Sequence, residues 1–137
     1  MEQLRVRDLM THEVTTVKRN DKLTLADDIM RLERIRHLVV LDEDEQVTGI
    51  VSQRDLFRGA LARALGYGEY AQRKLLDGFL VKEVMSGEVI TTTPDTPLRD
   101  AARIMAERKI GCLPVVEKGG LVGIITEGDF VARAAKE

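Results

Sequence analysis

The chain has 137 residues, enough for one domain or two small, closely packed halves. Hydrophobic residues make up 44% of it, which supports a core, and a formal charge of −2 argues against nonspecific nucleic-acid binding through a general basic field. There is no long apolar run, so neither a transmembrane helix nor a signal peptide is expected, and one cysteine, Cys112, permits no internal disulfide and no cysteine-based zinc site. A soluble, cytoplasmic protein without membrane insertion is the simplest expectation.

Residues 14–17 read as a short extended piece. A helix follows, with Asp21 at its N-cap and an apolar stripe of Ala26, Ile29 and Met30 at i, i+3, i+4. Leu38-Val39-Val40-Leu41 reads as a strand. The run Asp42-Glu43-Asp44-Glu45-Gln46 has turn composition and lacks the glycine and ligand periodicity of a calcium loop. A second strand covers 47–51 and runs straight into a helix that starts at Ser52, with Asp55 three residues on as in a capping box. That helix is expected to continue over 57–65 and to stop at Gly66-Tyr67-Gly68. A second helical piece, 69–76, ends near Gly78.

The same order then returns. Residues 6–41 slide onto 81–116, and 49–60 onto 123–134, with the one-residue difference absorbed in the turn. Val6 and Met10 fall on Val81 and Met85; Ala26, Ile29 and Met30 fall on Ala101, Ile104 and Met105; Gly49 and Asp55 fall on Gly123 and Asp129. The second copy has an extended piece at 89–92. Its helix has Thr96 at the N-cap and Pro97 first in the helix. A hairpin of 113–116 and 121–125 follows, and a last helix starts at Thr126. One β-α-β-β-α unit would leave a sheet face poorly covered. Two such units packed by pseudo-two-fold symmetry into one α/β (α+β type) domain would cover both faces.

The two strand-to-helix points carry the chemistry. A helix N-terminus exposes unpaired N–H groups and favours anions, and a carboxylate there can accept hydrogen bonds from vicinal hydroxyls. Ser52 with Asp55, and Thr126 with Asp129, either only cap helices or also present a polar site. Catalysis finds little support: the two histidines, His12 and His37, and Cys112 have no metal-ligand spacing, so no metal and no catalytic residue is assigned. Cys112 opens an apolar strand and reads as a buried small hydrophobe.

The sequence resembles the tandem cystathionine-β-synthase (CBS) domain pair, or Bateman module. The carriers are Val6-Arg7-Asp8-Leu9-Met10 with Val81-Lys82-Glu83-Val84-Met85; Leu23-Thr24-Leu25-Ala26 with Leu98-Arg99-Asp100-Ala101; Cys112-Leu113-Pro114-Val115-Val116; and the two Gly-x-x-Ser/Thr-x-x-Asp segments. The resemblance covers nearly the whole chain and implies a stand-alone pair: one CBS motif over 1–62, a helical linker over 63–80 and a second motif over 81–137.

It also implies a function. In the family the Asp position binds ribose hydroxyls and the Ser/Thr position lies beside sugar and phosphate, which assigns Asp55, Asp129, Ser52 and Thr126. Base contacts fall on Thr16, Val39 and Val40 in one half and on Thr91, Pro114 and Val115 in the other. Basic residues before the first hairpin strand reach phosphate in related adenylate-binding modules, which points to Arg36 and His37, with Lys18 and Arg19 adding charge. The second half has Gly111-Cys112 and Thr93-Pro94 at those places and no cation. The implied role is a regulatory sensor without catalysis that binds AMP, ADP, ATP or S-adenosylmethionine in clefts between the motifs. The Asp55 site is expected to prefer the phosphorylated ligand. A homodimer is implied, with an unidentified enzyme or transporter as the regulated partner. The alternatives are a ligand-free dimerisation or docking module and, against the charge and the scarce aromatics, a nucleic-acid binder.

Overall fold

In the computed structural model the described residues are 3–56, 73–74 and 76–136. The expected helix over 57–65, its stop at residues 66–68, and the start of the 69–76 piece lie outside them. Ten elements follow in order: α1 (Val6–Leu9), β1 (Thr16–Lys18), α2 (Leu23–Glu33), β2 (His37–Leu41), β3 (Val47–Ser52), α3 (Val81–Val84), α4 (Leu98–Arg108), β4 (Cys112–Glu117), β5 (Gly120–Thr126) and α5 (Glu127–Ala135). Residues 53–56 are also helical. The mixed α+β class and the doubled order of elements are those expected.

The chain divides into two compact units that do not coincide with the two repeats. One is Thr15–Val89; the other joins Met1–Val14 to Ile90–Glu137. Each repeat therefore gives its leading segment to the unit built on the other repeat's strands.

In the Thr15–Val89 unit, β1 runs parallel to β2, with Thr16 opposite Val39, and β2 is antiparallel to β3, with His37 opposite Ser52. Leu23, Ala26 and Met30 of α2 are buried against Val17, Leu38, Val40 and Val51. Removing such side chains from water is the main source of stability here. The leading segment of the second repeat closes this core. Val81 of α3 is fully buried, and Ser86 pairs with Ile50 through two backbone bonds of 2.8 and 3.1 Å.

The other unit repeats this with the exchanged segment. Strands β4 and β5 form a hairpin with Cys112 opposite Thr126. Leu98, Ala101 and Met105 of α4 pack on Leu113, Val115 and Ile125, and Val6 of α1 joins them. Thr11 pairs with Ile124 through bonds of 2.9 and 3.0 Å. Close approach here needs a glycine: a Cβ on Gly123 would lie 2.9 Å from the Thr11 carbonyl, and one on Gly49 would lie 3.0 Å from that of Ser86.

Three expectations change. The N-caps of the long helices are Lys22 and Pro97, not Asp21 and Thr96. Asp21 and Thr96 act one turn earlier, accepting the N–H of Lys18 at 2.7 Å and of Thr93 at 3.3 Å. The extended piece at 89–92 shrinks to one parallel bridge, Thr92 with Val115. Pro114 stands where the first copy has Val39, and without an N–H it cannot extend the parallel ladder backwards. The one-turn helices α1 and α3 were not foreseen. Each is capped by an acid three residues on: Asp8 accepts the Arg5 N–H at 2.8 Å and Glu83 that of Leu80 at 2.9 Å.

Candidate functional site

The β3-to-helix junction is a reciprocal cap. The Ser52 N–H donates to Asp55 Oδ2 at 2.9 Å, and the Asp55 N–H donates to Ser52 Oγ at 3.0 Å. At the β5-to-α5 junction the Thr126 N–H donates to Asp129 Oδ2 at 2.9 Å and the Thr126 hydroxyl lies 3.3 Å from the same oxygen. All four residues are half-buried. In both junctions the cap uses Oδ2. Among the described residues, Oδ1 of neither carboxylate takes a hydrogen bond. A carboxylate fixed through one oxygen and open at the other can accept donors from a small molecule.

A second backbone bond ties each junction to the start of the preceding strand. The Gln53 N–H donates to the Arg36 carbonyl at 2.8 Å, and the Glu127 N–H donates to the Gly111 carbonyl at 3.0 Å. Arg36 and His37 are thus held beside Ser52 and Asp55, Arg36 exposed and His37 half-buried. Lys18 and Arg19 leave the end of β1 as exposed residues. Lys18 pairs with Glu45 at 3.6 Å, and the Arg19 carbonyl accepts the Lys82 N–H at 3.0 Å.

The expected base-contacting residues divide by burial. Val39, Val40, Pro114 and Val115 are fully buried strand residues, Thr16 is half-buried, and Thr91 is exposed. In each unit the buried strand residues therefore belong to the core, and Thr16 and Thr91 are the members of the set that reach the surface. Cys112 is buried at the head of β4, and burial, with the Glu127 carboxylate adding to it, pushes its thiol up to about 12. A shallow recess is lined by Thr24, Arg73, Lys74 and Asp77, none of them a junction residue. Its charges are already engaged: Asp77 takes the Thr24 hydroxyl at 3.1 Å and Arg73 is bidentate on Asp28 at 3.0 and 3.1 Å.

Sequence reasoning passed over the residues between the paired positions. They are Gln53-Arg54 in one junction and Glu127-Gly128 in the other. The signal was the charge difference within two otherwise matched tetrapeptides.

Two β-α-β-β-type halves, each with a Gly-x-x-Ser/Thr-x-x-Asp turn from strand to helix, define a tandem-repeat α+β module. The sequence matches the family model of the CBS domain twice, at residues 6–62 and 81–136, and the chain belongs to that family. It is 32% identical over 91% of its length to the CBS domain-containing protein YhcV of Bacillus subtilis, covering 81% of that protein. It is also 32% identical to the uncharacterized protein MJ1404 of Methanocaldococcus jannaschii, where it spans only 32% of the relative's length.

Solved structures are similar throughout. A protein of Vibrio cholerae assigned to acetoin utilization (AcuB) has 37% identity and a TM-score of 0.80, over 97% of this chain and 91% of that one. The CBS domain pair of MJ0100, solved with 5′-methylthioadenosine and S-adenosyl-L-methionine, has 27% identity and a TM-score of 0.79, over 97% and 98%. CBSX2, solved with AMP, has 28% identity and a TM-score of 0.77, over 97% of each chain.

Proposed function

We propose that this chain is a regulatory module that binds adenosine-containing ligands at its two strand-to-helix junctions and does no chemistry on them. The observation that carries this is the pair of caps. Asp55 and Asp129 each spend one carboxylate oxygen on the helix start, and among the described residues the other takes no hydrogen bond. A ribose diol supplies two donors suited to such a group, and Ser52 and Thr126 stand beside it. Of the expected base-contacting set, Thr16 in one unit and Thr91 in the other reach the surface and are the side chains adenine meets, with Val39, Val40, Pro114 and Val115 buried beneath them. The relatives solved with AMP and with S-adenosylmethionine support this ligand class.

The Asp55 junction is the phosphate-bearing site. Arg36 and His37 are tethered beside it, Lys18 and Arg19 lie in the same unit, and Gly111 and Cys112 take the places of Arg36 and His37 in the other unit. The two motifs, 1–62 and 81–137, joined by the 63–80 linker, act as one CBS-pair domain in the cytoplasm. Ligand binding shifts an equilibrium between arrangements that an enzyme or transporter partner reads.

Calorimetry of the full chain with AMP, ADP, ATP and S-adenosylmethionine tests this. Heat with AMP that disappears on Asp55→Asn is the expected result. No heat and no thermal shift at millimolar ligand discards the reading.

A second reading, assembly through self-docking, has one observation in its favour. Leu25 and Leu32 of α2 are 44% and 83% exposed. They suit a homodimer contact, and sedimentation of wild type against Leu32→Lys checks it: a dimer that Leu32→Lys leaves intact does not use this face.

A further inference from the structure

The two junctions share backbone geometry and differ in charge. Between the capping hydroxyl and the capping carboxylate, the first has Gln53 and Arg54, both exposed; the second has Glu127 and Gly128, also exposed. The first turn of α5 therefore carries two acids, Glu127 and Asp129. The backbone bond from Glu127 to Gly111 fixes this acid next to the position where the other unit holds Arg36. Both copies have a cation at the end of the preceding helix, Arg34 and Lys109, so these do not discriminate. Arg133 stands on the second turn of α5, with interactions of its own. The negative field of Glu127 reaches the head of β4, where it adds to burial in raising the Cys112 thiol.

We infer that Glu127 makes the Asp129 junction select adenosine ligands with a cationic 5′ group and reject those with a 5′ phosphate. This rests on the proposed adenosine binding and adds a specificity-determining residue to it. Asp129 takes the ribose hydroxyls in either case. The 5′ substituent, next along the ligand, then meets a carboxylate where the other junction offers guanidinium groups. At an exposed position such as that of Glu127, a charge near an opposite charge is worth about threefold in affinity and a like charge costs about as much, so each charge moves the ratio between a cationic and an anionic ligand about tenfold.

The test uses three adenosines that differ only at the 5′ position: 5′-amino-5′-deoxyadenosine, adenosine and AMP. The Asp55→Asn background silences the other junction. There, affinity should fall in the order amino, neutral, phosphate. Replacing Glu127-Gly128 by the pair found in the first junction, Glu127→Gln with Gly128→Arg, should reverse the order, moving the amino-to-AMP ratio by about a hundredfold. A Cβ at Gly128 meets nothing closer than the Thr126 hydroxyl at 3.5 Å, so the longer side chain has room. Glu127→Gln alone should move the ratio about tenfold, and circular dichroism melts monitor the fold of each variant.

AMP preferred in the Asp55→Asn background, or an order untouched by both substitutions, overturns the inference while adenosine binding stands. Binding at the Asp55 junction alone overturns it too. If the unmodified chain binds none of the three compounds the inference is overturned, and if ADP, ATP and S-adenosylmethionine also fail to bind, the proposed function itself fails.

Discussion

The carbonyl of Arg36 accepts the N–H of Gln53 at 2.8 Å, so the residue before one strand is fastened to the first turn after the next. The bond belongs to the backbone and does not engage the exposed guanidinium. Truncating that side chain should separate the two roles. Arg36→Ala should change stability by less than about 0.5 kcal/mol, as expected for an exposed residue whose backbone contact survives. AMP affinity should fall about tenfold, the loss expected for a charge-assisted contact. Paired melts and calorimetric titrations measure both; a large loss of stability with unchanged affinity would make Arg36 structural.

The exchanged leading segments give a second expectation, with an unusual sign of locality. Val6 lies early in the first repeat yet is buried with Leu98, Leu113 and Ile125 of the second, while Val81 is buried with Leu23, Leu38 and Val51 of the first. Val6→Ala should cost about 1–3 kcal/mol through lost burial and a residual cavity. Hydrogen exchange should speed up at 98–126 and not at 16–52. Val81→Ala should do the reverse. Faster exchange in the same repeat as the substitution would contradict the observed pairing.

This exchange also marks where sequence reading stopped. The two hairpins, the first parallel strand, the long helices and the caps at Ser52 and Thr126 follow from local periodicity and hydroxyl-acid spacing and form as expected, whereas the piece at 89–92 keeps only the Thr92 bridge. Hydropathy has no memory of which sheet a segment will reach, so Val6 and Val81 gave no sign of crossing over. The role of Gly49 and Gly123 was hidden for the same reason, because the Ser86 and Thr11 carbonyls they admit are remote in sequence. Asp21 and Thr96 stand one residue before the N-caps, Lys22 and Pro97. Both residues favour helix starts, but the N–H groups they satisfy belong to the turn before, at Lys18 and Thr93. Within the site, the repeat exposed the paired carboxylates and the missing cations at Gly111 and Cys112. The open second oxygen of each carboxylate required coordinates.

Both long helices end on a residue that poorly suits its conformation. Arg34 and Lys109 have φ of 56° and 55°, in the left-handed region, and the following N–H groups of Ile35 and Ile110 each bond back to Met30 and Met105 at 3.1 Å. The left-handed conformation strains a residue with a Cβ by about 1 kcal/mol, and glycine is the usual occupant. Arg34→Gly and Lys109→Gly should each stabilise by about 0.5–1 kcal/mol, partly offset by the greater freedom of glycine in the unfolded chain. Urea denaturation should show a higher midpoint at constant slope. A lower midpoint would mean that the cationic side chains contribute more at the helix C-termini than the backbone strain costs.

Cys112 supplies a pH dependence whose sign follows from its burial. Its thiol moves from 9.0 to about 12 in the folded chain, chiefly because burial penalises the thiolate and then because Glu127 adds a negative field. In the unfolded chain the thiol ionises near its ordinary value. Below about pH 9 both states hold the proton and the contribution to stability is complete. Above it the unfolded state loses the proton first, so stability falls as pH rises towards 12, by about 1.4 kcal/mol per unit. Cys112→Ala lacks this component, although it loses some burial at every pH. The difference in unfolding free energy between wild type and Cys112→Ala should therefore be flat from pH 6 to 8 and should shrink between pH 9 and 11. Parallel curves over the whole range would show that the native thiol reaches water. Thiol-directed reagents give an independent check, because the buried group should react at pH 8 no faster than the chain opens.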